Sequence, residues 1–377
     1  MTFKPLNEND IVNTRTLLHE AIPLTGTIVS GTYSDENVKQ YSHGMFVSVY
    51  DYPYLSSSAN HIFDVTVGIS PSSNYYNLIT TTNGMQSKKK NIYNQMAQVL
   101  MGYDATGSIQ QFDQDGNIIG GGMKIDSAFI LPFSRLLVKD EIKKQTFSMQ
   151  LGVNSDYRNP FSNLITISDV SASTEYRVNS PVGEFGILYA TSSLSSSLEA
   201  ALGDLTSSIN GTRYWYAGLI YYQAGVVVLT GSILGSMLNH GLIGGEPLEL
   251  IEKYGTAAAQ AGFNSQEVAF TGSTISASAH GLRHRIKNIQ FNNTTELNST
   301  IYFCRANHNE FNYTSNPTYL TGSKIRVKSQ ATDNPVAYIT TVGLYNDNNE
   351  LMATAKLSEP LKKSPATEFT IRTRLDY

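Results

Sequence analysis

Charged residues are scarce in this chain. Asp, Glu, Lys and Arg make up 15% of its 377 residues, against about a quarter in an average globular protein. Hydrophobic residues reach 41%, which is enough for a sizeable core. The formal net charge of −4 lacks the basic excess with which proteins attract nucleic-acid phosphates. We therefore predict no nucleic-acid partner.

Cysteine is nearly absent, since Cys304 stands alone. One cysteine excludes an internal disulfide framework. The preceding residues Ile301–Phe303 are typical of a strand, which predicts a buried thiol that acts as a small hydrophobic side chain. A catalytic thiol needs a neighbouring base and an electropositive setting. The spacing of the sequence supplies neither.

The start of the chain lacks the features of a secretion signal. It is polar, carries Glu8 and Asp10 early, and has neither a basic first segment nor an apolar run. We therefore expect synthesis in the cytoplasm without a signal peptide.

One uncharged stretch, Tyr214–Leu234, is long enough to cross a bilayer. It nevertheless contains Gln223, several tyrosines and several glycines, and no basic cluster of the kind that sets membrane topology lies beside it. Two strands, Trp215–Tyr222 and Gly225–Thr230, explain the pattern better. We predict no membrane span.

Metal-ligand patterns are also missing. His280 and His284 have the i, i+4 spacing of a zinc helix, but the glutamate of that motif is absent. Arg283 and Arg285 add positive charge, which disfavours a divalent cation. The pattern predicts a polar loop leading into a strand at Ile286–Phe291. The alternative is a basic spot that contacts an acidic partner.

Other catalytic and cofactor motifs fail on spacing. The glycines and serine of Gly231–Gly235 do not have the Gly-x-Ser-x-Gly order of a nucleophile elbow. Asp113 and Asp115 resemble part of a calcium loop, but Lys124 occupies the position of its last glutamate. No dinucleotide, phosphate-loop or zinc pattern occurs. The sequence thus predicts no enzyme, no catalytic residue, no metal and no cofactor.

What the chain does contain is a succession of strand-like segments rich in β-branched and aromatic residues. Helical spacing predicts helices at 88–101, 192–205 and about 246–261. The segment Ile11–Glu20 suits a short helix or an extended arm. The fold class expected is mainly β with a few helices (α+β), built as antiparallel sheets or β-sandwich domains. Four segments are expected: an N-terminal arm (1–25), a first mixed β domain (26–165), a middle α+β domain (166–272) and a C-terminal β domain (273–377).

Basic and aromatic clusters are the best candidates for a protein interface. The lysines at the start of the first helix oppose the helix dipole, so they mark either a solvated end or an acidic neighbour on another subunit. Aromatic pairs in strands belong to a core, to an interface or to a sugar-binding surface. The candidate interface residues are Lys88, Lys89, Lys90, Tyr214, Trp215, Arg283, Arg285, Tyr338 and Tyr345.

Two segments resemble known structural proteins. The first, 338–361, reads YITTVGLYNDNNELMATAKLSEPL. It is similar to a hairpin motif of tailed-phage virion proteins, I-T-x-V-G-L-Y, a turn, then E-L-x-A-x-A-K-L. The second, 218–229, reads GLIYYQAGVVVL and is similar to a strand pair in structural proteins of T4-like and marine contractile-tailed phages. Together they cover 36 residues, about a tenth of the chain.

The resemblance implies a non-enzymatic virion subunit, in the tail or baseplate wedge, that assembles with other virion proteins and with copies of itself. A neck, collar or head-vertex protein is the alternative. A receptor- or glycan-binding module of the fibre apparatus is the alternative from another class. The termini, Thr2–Ile22 and Tyr338–Tyr377, are the expected tethers.

Overall fold

The computed structural model describes most of the chain, with gaps between the described ranges. The described residues are 3–23, 37–76, 84–116, 122–152, 160–162, 164–191, 206–209, 211–233, 270, 274–312, 320–321, 324–325 and 335–377.

Strands dominate these residues. In chain order they are β1 (Ile11–Pro23), β2 (Val38–Gln40), β3 (Val47–Tyr50), β4 (His61–Ile69), β5 (Ser127–Pro132), β6 (Glu141–Ile142), β7 (Ser148–Gly152), β8 (Leu164–Ser168), β9 (Arg177–Ser180), β10 (Gly183–Thr191), β11 (Thr206–Ile209), β12 (Thr212–Tyr221), β13 (Val226–Thr230), β14 (Ile286–Ala306), β15 (Leu320–Thr321), β16 (Lys324–Ile325), β17 (Ala337–Tyr345), β18 (Leu351–Lys363) and β19 (Phe369–Asp376). The α-helices are α1 (Gly84–Leu100), α2 (Arg135–Val138), α3 (Ala172–Glu175) and α4 (Ile275–Arg285), and two 3-10 turns lie at Glu8–Asp10 and Pro160–Ser162.

The fold is mainly β with antiparallel sheets and few helices, so the predicted fold class is confirmed. The chain forms two compact units. We call Met1–Leu18 with Glu296–Tyr377 the terminal unit, and His19–Thr295 the central unit. The division falls inside β1 and inside β14.

One antiparallel sheet organises the central unit. Its strand order is β14, β7, β8, β10, β12, β13, β5, β4, β3, β2, with β9 beside β10, β11 beside β12 and β6 beside β14. The uncharged stretch forms the antiparallel pair β12–β13, in which Leu219 faces Val228. Gly225 lies between the two strands with φ +66°, a backbone conformation that suits glycine. The predicted strand pair is confirmed.

Helix α1 packs against β4 of this sheet. The approach is close because Gly68 has no side chain, and a Cβ there would lie 2.9 Å from Tyr93 Cβ. The helix starts four residues earlier than predicted and ends at Leu100. Gly102 then adopts φ +79° and its N–H bonds Ala97 O at 3.1 Å, which is a typical helix end.

The described residues of the terminal unit form three pieces of sheet. The second half of β14 pairs with β19 in antiparallel register from Ser299↔Asp376 to Ala306↔Phe369, and β1 neighbours β14 in the strand order. Strands β17 and β18 pair with each other, as do β15 and β16. The hairpin expected from the resemblance at 338–361 is therefore present, with β18 extending to Lys363.

The structure divides the chain differently from the predicted domains. Residues of the expected first and middle domains share one ladder, because β13 lies between β12 and β5. The expected arm is strand β1, which settles the choice between helix and extended segment. The predicted helices at 192–205 and 246–261 lie outside the described residues.

A second difference is α4, which replaces the loop predicted around His280. Thr274 caps this helix, since its hydroxyl accepts the Ala277 N–H at 3.1 Å. Ile275 and Leu282 are buried, so tertiary packing outweighs the weak helix propensity of Gly281. The predicted strand after it does begin at Ile286.

Candidate assembly surface

Buried apolar side chains are distributed very unevenly between the units. Among the residues that the structure describes, the connected hydrophobic core lies in the central unit, from Val38 to Phe291. Among the described residues of the terminal unit, the buried hydrophobic side chains are those of Ile301, Ala306 and Ala337. Folding requires apolar burial to offset the loss of chain entropy. The terminal unit supplies little of that burial from its own described residues.

The same unit exposes many large apolar side chains to solvent. Their exposed fractions run from 38% to 75%. They are Phe3, Ile11, Val12, Leu17, Leu18, Phe311, Tyr338, Tyr345, Leu351, Met352 and Tyr377. Clusters of exposed apolar side chains of this kind mark interaction sites.

The pair β17–β18, which we call the ribbon, is held at its base. Ala337 pairs with Lys363, and both residues are buried. The Lys363 ammonium donates to His308 O at 3.3 Å, Asn312 Oδ1 at 2.8 Å and Ser364 O at 3.0 Å. No residue from 338 to 362 is buried. The ribbon is therefore anchored at one end and open to solvent along the rest of its length.

Alternation gives the ribbon two different faces. Pairs such as Val342↔Ala355 and Leu344↔Ala353 are half-buried, whereas Thr341↔Lys356 is exposed. Opposite Thr340, the partner strand carries the extra residues 357–360. Pro360 fits in this bulge because it has no N–H to contribute to a ladder.

The turn of the ribbon is built by asparagines. Asn349 adopts φ +63°, a left-handed conformation that asparagine tolerates. The Asn346 Oδ1 accepts the Glu350 N–H at 2.8 Å, and the Asn346 N–H bonds Glu350 O at 3.0 Å. These bonds close the turn and set the register of the side chains beside it.

Apolar residues lie next to this turn, and we call Phe3, Gly343, Tyr345, Leu351 and Met352 the tip patch. The Phe3 and Tyr345 rings meet edge to face with centroids 4.7 Å apart. Tyr345 and Leu351 close over the backbone of Gly343, where a Cβ would lie 3.0 Å and 3.2 Å from their side chains. An isolated two-stranded hairpin is marginally stable in water. Burial of the tip patch against a partner would therefore stabilise the ribbon.

Strand β1 is the other uncovered element of the terminal unit. Every residue from 11 to 18 is exposed, although Thr14 donates to Ser299 O at 3.4 Å and Arg15 pairs with Glu296. At its start, the Arg305 Nε donates to Asp10 Oδ1 at 2.6 Å. This hydrogen bond lowers the pKa of the Asp10 carboxyl. Polar bonds hold β1 in place while its apolar side chains stay in water.

The lysine candidates have three different environments. The Lys88 amine bonds His43 O at 2.5 Å, and the Lys90 amine lies 3.6 Å from the centre of the Tyr76 ring. Lys89 is fully buried and bonds Phe270 O at 2.6 Å. Burial lowers the pKa of Lys89 to about 7. Lys89 therefore fits neither a solvated helix end nor an exposed interface.

Several other candidates also lie inside the central unit. Trp215, Arg283 and Arg285 are buried, and burial lowers the pKa of Arg285 to about 10. Tyr214 is half-buried and packs against Tyr189. The proposed basic spot and the aromatic pair are thus internal packing features. Of the nine candidates, Tyr338 and Tyr345 belong to the exposed ribbon.

Sequence patterns missed the residues that define the surface. Phe3, Leu351 and Met352 were not singled out, and Lys363 resembles any surface lysine. One sequence signal does point to this surface. Apolar residues occur on both faces of the strands around 338–361, whereas a strand that packs one face on its own core needs them on that face alone.

One buried carboxylate of the central unit, Asp169, has several structural partners. Asp169 accepts the N–H groups of Gln145 at 2.7 Å and Phe147 at 3.0 Å and the Tyr222 hydroxyl at 3.2 Å. Burial raises the pKa of Asp169 to about 6. These bonds hold turns and strands together.

The lone cysteine is less buried than its neighbours predicted. Cys304 is half-buried in β14, and desolvation raises the pKa of its thiol. A raised pKa leaves less of the reactive thiolate at neutral pH. The side chain therefore acts as a packing group of the terminal unit.

Within the described ranges, no three His, Cys, Asp or Glu side chains are placed to share a metal ion. None of the helices in the described part of the chain has the length and apolarity that crossing a bilayer requires. Comparison of the chain with protein-family models, curated proteins and solved structures finds no match.

Proposed function

We propose that the chain is a non-enzymatic structural subunit of a tailed-phage virion, in the tail or baseplate, and that the terminal unit is its attachment module. The observation that carries the proposal is the lack of an apolar core in the described part of the terminal unit, together with its exposed ribbon and β1. A well-paired set of strands with uncovered apolar side chains is typical of a protein completed by its neighbours.

The phage resemblance supports the same assignment. The segment 338–361 that resembles virion proteins coincides with the ribbon. The mechanism is mechanical: the central unit supplies a rigid folded body, and the terminal unit forms the contact. No catalytic step is required. The burial of Trp215 counts against Tyr214 and Trp215 as a glycan platform.

Immunogold electron microscopy of purified virions tests the proposal. An antibody against the central unit should label intact particles at the tail end. Label at the neck or head vertex would favour the alternative location. Absence of the chain from purified virions, checked by mass spectrometry, would refute the structural role.

A further inference from the structure

We infer that the partner covering the tip patch is the terminal unit of a second copy of this chain. The inference rests on the proposed assembly function and adds the identity of the neighbour. Each copy brings the same uncovered elements, the ribbon and β1, so one contact between copies covers apolar surface on both molecules.

The charges of the terminal unit favour contact with itself. Residues 1–18 contain two basic and two acidic side chains, and residues 296–377 contain nine basic and eight acidic side chains. The net charge of the terminal unit is therefore +1. The central unit carries the remaining 16 basic and 21 acidic residues, or −5. Near-neutral surfaces associate readily because no long-range repulsion opposes them.

Acidic side chains also lie at the turn of the ribbon. Asp347 and Glu350 make the turn beside the tip patch acidic, and both are exposed. Arg372 is exposed on β19, whereas Arg374 on the same strand donates to Asp376 Oδ1 at 2.6 Å. A second copy therefore offers Arg372 as a basic side chain for the acidic turn of the first, which gives a contact between copies a preferred orientation.

The apolar composition of the patch fits a protein partner. It combines two aromatic rings with Leu351 and Met352, which are 53% and 68% exposed. Aromatic residues and methionine are enriched at the centres of protein interfaces, whereas lysine and acidic residues are depleted there. The charged turn would then form the rim of the contact.

Sedimentation equilibrium of the full chain tests the inference. The wild-type protein should show a mass of at least twice 41.4 kDa at micromolar concentration. The double variant Leu351→Asp, Met352→Asp should associate at least about tenfold more weakly, because two buried apolar contacts become charged. Leu55→Asp, at a site 84% exposed in the central unit, is the matched control and should associate like wild type.

Trp215 reports folding of the central unit in every sample, since this single tryptophan is buried there. A wild-type chain that stays at 41.4 kDa with folded Trp215 fluorescence would overturn the inference. Unchanged association of the tip variant would do so too. A monomeric chain that still labels virions would leave the structural role intact and assign the patch to a different protein. A self-associating chain absent from virions would reject the structural role alone.

Discussion

The Lys89 amine sits inside the central unit, in the second turn of α1, against the Phe270 carbonyl. Phe270 packs its ring on Phe129 with centroids 5.2 Å apart. A run of three lysines normally predicts a solvated surface, and two of the three have partly exposed environments. Which one points inward depends on the rotation of the helix against β4, and the residue types alone do not encode that rotation.

Lys89 makes the stability of the central unit depend on pH. Its pKa is about 7 in the folded chain against 10.5 for an unperturbed lysine, so the unfolded chain binds more protons between these values. Stability therefore rises with pH in this window. The contribution of Lys89 between pH 7 and 9 is about 2 kcal/mol. Urea unfolding followed by Trp215 fluorescence should show this rise in wild type and lose it in Lys89→Met.

The neighbouring variant Lys88→Met is the control, because the Lys88 side chain is only partly buried. It should keep the rise with pH. Equal slopes in wild type and Lys89→Met would show that the amine is not desolvated in the folded chain.

Asp169 fastens the turn before β7 to the loop after β8. Substitution by asparagine would keep one acceptor oxygen and turn an N–H₂ group toward groups that are themselves donors. We expect Asp169→Asn to lower the free energy of unfolding by about 2–4 kcal/mol. Tyr222→Phe removes only the hydroxyl contact and should cost about 1 kcal/mol. Thermal melts at pH 8, where the carboxyl is ionised, measure both, and equal losses would contradict this role.

At the scale of elements, short sequence patterns predicted correctly the strands that pair with their neighbours in the sequence. The hairpin motif at 338–361 predicted the ribbon, and the two strand-like segments Trp215–Tyr222 and Gly225–Thr230 predicted β12–β13. They failed where the partner was distant in sequence. The position of β13 beside β5 and the burial of α4 follow from tertiary packing, which no short window of the chain contains.

The ribbon depends on the ammonium of Lys363 at its base. Lys363→Met removes three hydrogen bonds and leaves the acceptors on the 308–312 loop without this donor. We expect hydrogen exchange across 337–363 to speed up by at least about tenfold, which corresponds to a local loss of about 1.4 kcal/mol or more. Trp215-monitored unfolding of the central unit should be unchanged.

Lys362→Met is the matched control, since Lys362 is the adjacent and exposed lysine. It should exchange like wild type. If both variants behave alike, the buried ammonium does not anchor the ribbon.

At the scale of the whole molecule, the two units have different sources of stability. The central unit encloses a large apolar core, and the described part of the terminal unit encloses almost none. A unit stabilised by its own core unfolds at a temperature independent of protein concentration. A unit stabilised by association unfolds at a temperature that rises with concentration, because mass action favours the bound state.

Calorimetry of the full chain should therefore resolve two transitions. The lower transition, from the terminal unit, should move upward by several degrees when the protein concentration is raised a hundredfold. Such a rise in concentration stabilises the associated state by about 2.7 kcal/mol. The upper one should coincide with loss of Trp215 burial and stay fixed. The Leu351→Asp, Met352→Asp variant should abolish the concentration dependence and leave the upper transition in place. A single transition that ignores concentration would mean that the terminal unit is stabilised within one chain.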